Sequence, residues 1–178
     1  AAGHPVLLCG HTPRDSIEVR RDDGDPIVVP GPVHTDPTEV VGPVDVVLLA
    51  VKDTQNEDAA GWLARLCDER TVVCALQNGV EQVERVGPLC PASTVVPAAI
   101  WISAEPEPGG WVRLRTGARL VLPDTDAARR LAELLGGTDM AVELDPEFLT
   151  AAWHKLMVNA VVGFMVLPLL FGVDDTMD

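Results

Sequence analysis

The chain has 178 residues, 47% of them hydrophobic and 22% charged, which suits one good core, or one full domain plus part of another, and excludes a disordered segment. The formal charge of −14, from 27 acidic and 13 basic residues, excludes the basic footprint that a nucleic-acid-binding surface needs. Any anionic ligand must then be held by a local cluster of donors working against an acidic field.

The opening AAGHPVLLCG reads as the end of a helix closed by Gly3, then a short buried strand, Val6 to Cys9. A domain rarely begins on the last turn of a helix, so the first strand and helix of the fold are expected to be missing. Ile17 and Val19 alternate before the turn DDGD and the run IVVP, which predicts a hairpin. PGPVHTDPTEVVGP is expected on the surface, with one helical turn. VDVVLLAVK, Val44 to Lys52, is a continuous β-branched run of the kind found in parallel strands covered on both faces. TQNE then fits a capping box with Thr54 as N-cap and Glu57 three residues later, and Ala59, Trp62, Leu63 and Leu66 recur at helical spacing.

The strand TVVCAL runs into QNGV and a short helix to Val86. STVVPAAIWIS reads as another strand, and the EPEPGG turn leads to WVRLR and ARLVLP, read as an antiparallel pair. A helix from Thr125 to Leu135 stops at Gly136–Gly137, and MAVEL is a last strand. DPEF starts a long helix, with Asp145 as N-cap and Pro146 at its first position. Strands alternating with helices predict an α/β fold with a mostly parallel sheet.

Cys9, Cys67, Cys74 and Cys90 form no CxxC pair and read as reduced, mostly buried thiols of a cytoplasmic protein. The histidines lack metal-ligand spacing, so no metal is expected, and no charged-then-apolar leader suggests a signal peptide. Leu156 to Val173 is apolar, but Asn159 and Pro168 within it and the lack of flanking anchors argue against a membrane span.

Sheets of this kind bind ligands beyond the carboxyl ends of their strands, where HTPR, Lys52 and Gln77-Asn78-Gly79 lie. No GxGxxG is present, as expected of a chain without its first strand. After the following strand, Cys9-Gly10-His11-Thr12-Pro13-Arg14 offers no acid before Asp15. An NAD-type site places Asp or Glu there; imidazole, hydroxyl and guanidinium instead suit a 2′-phosphate, which favours NADP(H), although a plain polar loop fits as well. Lys52 either surfaces at its strand end or sets its ammonium beside a cofactor or anionic substrate. Asn78-Gly79 alone reads as a turn.

Only two of the 13 basic residues are lysines, and the second, Lys155, interrupts the apolar helix AAWHKLMVNAVVGF. Lys155, Asn159 and Gly163 share one face at i, i+4 and i+8, offering an ammonium, an amide and then a gap. Either Lys155 reaches solvent or pairs with an acid such as Asp145 or Glu147, or this row lines a cleft and meets a carbonyl or carboxylate.

AGHPVLLCG, VDVVLLAVK, LQNGV and AWHKLMVNA, in this order and spacing, resemble the ketopantoate reductases (2-dehydropantoate 2-reductases) from about Gly3 to Val166. The resemblance implies a Rossmann-like NADP-binding domain over 1–144, N-terminally incomplete, and the first long helix of an α-helical substrate and dimerisation domain over 145–178. It implies reduction of 2-dehydropantoate, a small 2-oxoacid, to pantoate with NADPH in pantothenate biosynthesis, by a homodimer in the full-length form. Lys155 would be the catalytic lysine on the keto oxygen, Asn159 would fix the substrate, and Asn78 would sit between substrate and nicotinamide. Lys52 would lie on the cofactor side. His11 stands where the family usually has arginine, leaving Arg14 as a substitute, and Gly163 replaces a second asparagine. Beyond Leu167 the sequence leaves the family pattern, and the family's helical domain with its serine and glutamate is expected to lie outside these residues. A reductase of another small 2-oxo or 3-hydroxy acid, or a truncated non-catalytic fragment, are the alternatives.

Overall fold

The computed structural model describes residues 3–22 and 24–171, the stretch 162–171 as backbone only. The chain first forms β1 (Leu8–Cys9), β2 (Ser16–Arg21), β3 (Ile27–Pro30) and β4 (Val33–His34). β1 and β4 pair in parallel, and β2 and β3 make the hairpin expected around DDGD. Next come β5 (Val46–Leu49), α1 (Asn56–Leu66), β6 (Val72–Ala75), α2 (Gln82–Val86) and β7 (Thr94–Pro97). The three strands form a parallel sheet in the order β5-β6-β7. β8 (Ala99–Pro106), β9 (Val112–Pro123), α3 (Asp126–Leu135), β10 (Ala141–Asp145) and α4 (Phe148–Phe171) complete the order. Among the described residues five of the seven strand pairings are parallel, the mostly parallel α/β arrangement that the alternation predicts.

The apolar run of β6 is buried on both faces because two cores meet on it. Val72 and Cys74 join Val96, Leu120, Leu122 and Leu131 in one core. Val73 and Ala75 join Leu49, Ala59, Leu63 and Val86 in the other. Each fully buried Val or Leu contributes roughly 1.5–3 kcal/mol, so this double-sided strand is the most firmly held part of the sheet. A third core, of Ala99, Val121, Phe148 and Ala152, seats the first turns of α4 on β8 and β9.

Several expectations need correction. Thr54 does not cap α1: Asp53–Gln55 form a 3₁₀ turn, α1 starts at Asn56, and the Gln55 side chain accepts from the Lys52 N–H at 3.3 Å. WVRLR and ARLVLP are not a pair but one strand, β9, because Gly117 keeps an ordinary negative φ and no turn breaks the run. The antiparallel partner of β9 is β8, and the turn between them has Gly109 and Gly110 at φ +99 and +85. STVVPAAIWIS divides at Ala98: β7 pairs with β6, whereas β8 pairs with β9. The Pro-Gly connection does carry one helical turn, Pro37–Glu39, but it is not all surface. Val40 is buried, and the carbonyl of Val40 accepts from Arg65 Nε at 2.9 Å, tying this stretch to the end of α1.

Asp145 Oδ1 accepts from the Glu147 N–H at 2.7 Å, and α4 begins at Phe148, so Pro146 lies in the turn ahead of the helix. Cys74 and Cys90 are buried, Cys67 is half-buried and Cys9 is exposed. Burial pushes the Cys74 thiol up to about 12. Among the described residues, no helix is long and apolar enough to cross a membrane. Gly163 falls in the stretch described as backbone only, and residues 172–178 of the off-pattern tail lie outside the described residues.

Candidate functional site

Beyond β6 the chain leaves the sheet through Gln77, Asn78 and Gly79, the last at φ +116, a conformation that favours glycine. Buried carboxamides hold this turn. Gln77 Nε2 donates to the Val51 carbonyl at 3.0 Å and to Asn56 Oδ1 at 2.6 Å, strapping the end of β6 to the end of β5. Gln82, at the start of α2, donates from Nε2 to the carbonyls of Gln77 and Gly79 at 3.0 and 2.9 Å. Asn56, Gln77 and Gln82 are all buried, where amides persist only with partners.

α4 brings its polar row to the same place. Lys155 Nζ donates to Asn78 Oδ1 at 2.9 Å, and Asn159 Nδ2 donates to the same oxygen at 3.2 Å. One amide oxygen has two lone pairs and can take both. Asn78 and Asn159 are exposed, but Lys155 is only 7% exposed. Among the described residues no carboxylate lies within ion-pair distance of Lys155, and Asp145 is engaged instead by the Glu147 N–H. What stabilises the ammonium is the Asn78 oxygen and the face of Trp101, whose ring centre is 5.9 Å from Nζ. Burial lowers the Lys155 pKa below the usual lysine value. A narrow crevice here is lined by Asn78, Gly79, Ala99, Lys155 and Asn159. It presents an ammonium and two amides beyond the carboxyl end of a parallel strand, a donor set suited to a carbonyl or carboxylate oxygen.

The structure thus brings Lys155, Asn159 and Asn78 together. It does not bring Lys52, His11 or Arg14 into contact with them among the described residues. Lys52 is exposed past the end of β5, and His11 is exposed past β1. Arg14 Nη1 donates to the Gly110 carbonyl at 2.6 Å, toward the β8–β9 turn. Sequence reasoning missed Trp101, Asn56 and Gln82. Asn56 was absorbed into an apparent helix cap, Trp101 into an apolar strand, and Gln82 gave no local signal.

A family model described as Ketopantoate reductase PanE/ApbA matches residues 1–127. A 2-dehydropantoate 2-reductase of Mycobacterium tuberculosis (strain ATCC 25618 / H37Rv) is 66% identical over 166 residues, covering 93% of this chain and 56% of that protein. One from Caulobacter vibrioides is 32% identical over 156 residues, covering 88% and 53%. The chain therefore spans little more than half the length of the curated relatives it matches. Among solved structures, a PanE/ApbA family ketopantoate reductase from Ralstonia eutropha JMP134 superposes with a TM-score of 0.71 at 27% identity, covering 82% of this chain and 48% of that one. A ketopantoate reductase from Staphylococcus aureus, described as dimeric, shares the fold with a TM-score of 0.73 at 24% identity, covering 86% and 51%.

Proposed function

The chain belongs to the ketopantoate reductase family, and from that premise we propose that it carries the Rossmann-like part and one catalytic wall of an NADPH-dependent 2-dehydropantoate reductase. The observation that supports this most is the shared acceptor, Asn78 Oδ1, which holds Lys155 and Asn159 at one crevice beyond β6.

Reduction of a keto group leaves negative charge on its oxygen. A bound NADPH supplies the hydride. Lys155 donates to the keto oxygen of 2-dehydropantoate as that charge develops, and its burial in place of full hydration strengthens the interaction. Asn159 orients the substrate from one helical turn away, and Asn78 stands at the boundary between substrate and nicotinamide. His11, Arg14 and Lys52 supply the cofactor side: all three are exposed past the carboxyl ends of β1 and β5. Arg14 commits Nη1 to Gly110 and keeps its other guanidinium donors. This donor set fits the anionic 2′-phosphate of an NADP-type cofactor. Residues 1–144 form the cofactor domain in this reading. Residues 145–178 open a helical domain, whose burial of an apolar face suits the exposed row Leu149, Trp153, Met157 and Val161 of α4. Assembly as a homodimer and a cytoplasmic location complete the proposal.

The test is turnover by the full-length form with NADPH and 2-dehydropantoate, against a panel of other 2-oxo and 3-hydroxy acids. Lys155→Ala is expected to cut kcat/KM by about a hundred- to a thousand-fold while NADPH binding, followed by its fluorescence, persists. Turnover close to wild type in that variant refutes the assigned role.

A further inference from the structure

We infer that Gln82 is a positioning residue: its carboxamide clamps the carbonyls on either side of Asn78 and thereby sets Asn78 Oδ1 as the common acceptor of Lys155 and Asn159. The inference rests on the placement of Asn78 at the site proposed above, but its test needs neither substrate nor cofactor.

Asn78 is exposed and precedes a glycine at φ +116, so apart from the two α4 donors on its side chain neither burial nor local backbone sterics holds it still. Its conformation is fixed from the two flanking residues instead. Gln77 is anchored through its side chain to Val51 and Asn56, which locates the start of the turn. Gln82 holds the carbonyls at both flanks with one NH₂ group, at 3.0 Å to Gln77 and 2.9 Å to Gly79. Carbonyl oxygens only accept, so the nitrogen, not the oxygen, of the Gln82 amide must face them. Gln82 Oε1 meets no donor among the described residues, so the amide is anchored by its nitrogen alone. The residue is 3% exposed, and no solvent competes freely for those two bonds. The peptide unit before Asn78 and the one after Gly79 are thereby pinned, which narrows the swing of the Asn78–Gly79 unit between them and the direction in which the Asn78 side chain leaves the turn. That direction is the one from which a single oxygen reaches both donors of α4.

In the full-length form labelled with ¹³C at the lysine ε carbons, the Lys155 signal is the one that Lys155→Arg removes. Lys155 then reports directly on Asn78, since losing the amide acceptor disfavours the charged form. Gln82→Met keeps length and burial but removes both donors. The expected result is a displaced Lys155 signal with a lower titration midpoint, matching the displacement in Asn78→Ala. The double variant should go no further than Asn78→Ala alone, because both changes act through one oxygen. A Gln82→Met chain that melts earlier but leaves the Lys155 signal and midpoint at their wild-type positions makes Gln82 merely structural and overturns the inference; so does full additivity with Asn78→Ala. If Gln82→Met does not fold, Gln82→Asn, which keeps the amide one methylene short of the carbonyls, is read by the same two criteria. A full-length form that fails to reduce 2-dehydropantoate would refute the proposed function and leave this result unaltered.

Discussion

The polar end of β6 and the polar end of β1 are built in opposite ways. At β6 the exposed Asn78 stands on a turn tied down by buried amides and receives two donors from α4. The strand behind it is buried on both faces by two cores. At β1 the strand is two residues long and pairs only with β4 among the described residues, and Val6 and Leu7 ahead of it are exposed. Among the described residues the side chains of His11 and Arg14 make one hydrogen bond, from Arg14 to the Gly110 carbonyl, while the Arg14 carbonyl accepts from the Val33 N–H at 2.8 Å. The difference suits the two tasks proposed above. A group that must meet one reacting oxygen loses most of its effect if displaced by about 1 Å. A group that attracts a phosphate works through charge, which falls off slowly with distance.

That contrast can be broken or sharpened by substitution. The largest effect is expected beneath β6: Leu63→Ala, at a side chain 1% exposed, should cost about 2–5 kcal/mol in urea unfolding. A loss no larger than that of Leu7→Ala would deny that the two strand ends differ in support. Asn78→Ala comes next, because it strips the amide acceptor from a buried ammonium; the expected cost is about 1.5–3 kcal/mol. Unchanged stability would mean that water or Trp101 suffices for Lys155.

A smaller effect lies in pH dependence. Burial lowers the Lys155 pKa from 10.5, so between the folded-state value and 10.5 the unfolded chain binds more protons than the folded one. Stability from this group therefore rises with pH across that window, and the burial penalty applies in full below it. Lys155→Met should flatten that rise in denaturation midpoints measured from neutral to alkaline pH; a rise that survives the substitution assigns it to another group. The smallest stability change is expected at the other strand end. Arg14→Ala should cost less than about 0.5 kcal/mol, yet weaken NADPH binding by the full-length form, with the difference shrinking as salt is added. Unweakened binding would leave Arg14 as a strut for the β8–β9 turn.

Much of this was legible because particular residues obey local rules. The run TVVCAL announced a strand, although cover on both faces was expected of VDVVLLAVK, where Leu48 of β5 is exposed. Thr125 capping Ala128 with Gly136–Gly137 beyond bounded α3 as expected. Lys155 and Asn159 could be placed on one face from helical spacing alone, and both reach Asn78. Legibility failed where partners are distant in sequence. Asn56 looks like part of a helix cap, yet its side chain binds Gln77, 21 residues away. WVRLR-TG-ARLVLP looks like two strands around a turn, but β8, β2 and β10 all pair along it, and Thr116–Arg119 meets β8 at a register shift rather than a turn. No spacing rule announces that Trp101 lies near Lys155.

The double burial of β6 also constrains how this chain can vary. Neighbouring residues Val73 and Cys74 answer to different surroundings, the first to α1 and α2, the second to α3 and β9. A change of volume at one cannot be offset by an opposite change at the other, although they are adjacent in sequence. In a randomised library, compensation for Val73 should therefore be recovered at positions such as Leu63, and for Cys74 at positions such as Leu131. Tolerance at each is set by partners on other elements, 10 residues away for Leu63 and 57 for Leu131, and the Asn78 turn inherits any misfit from both sides.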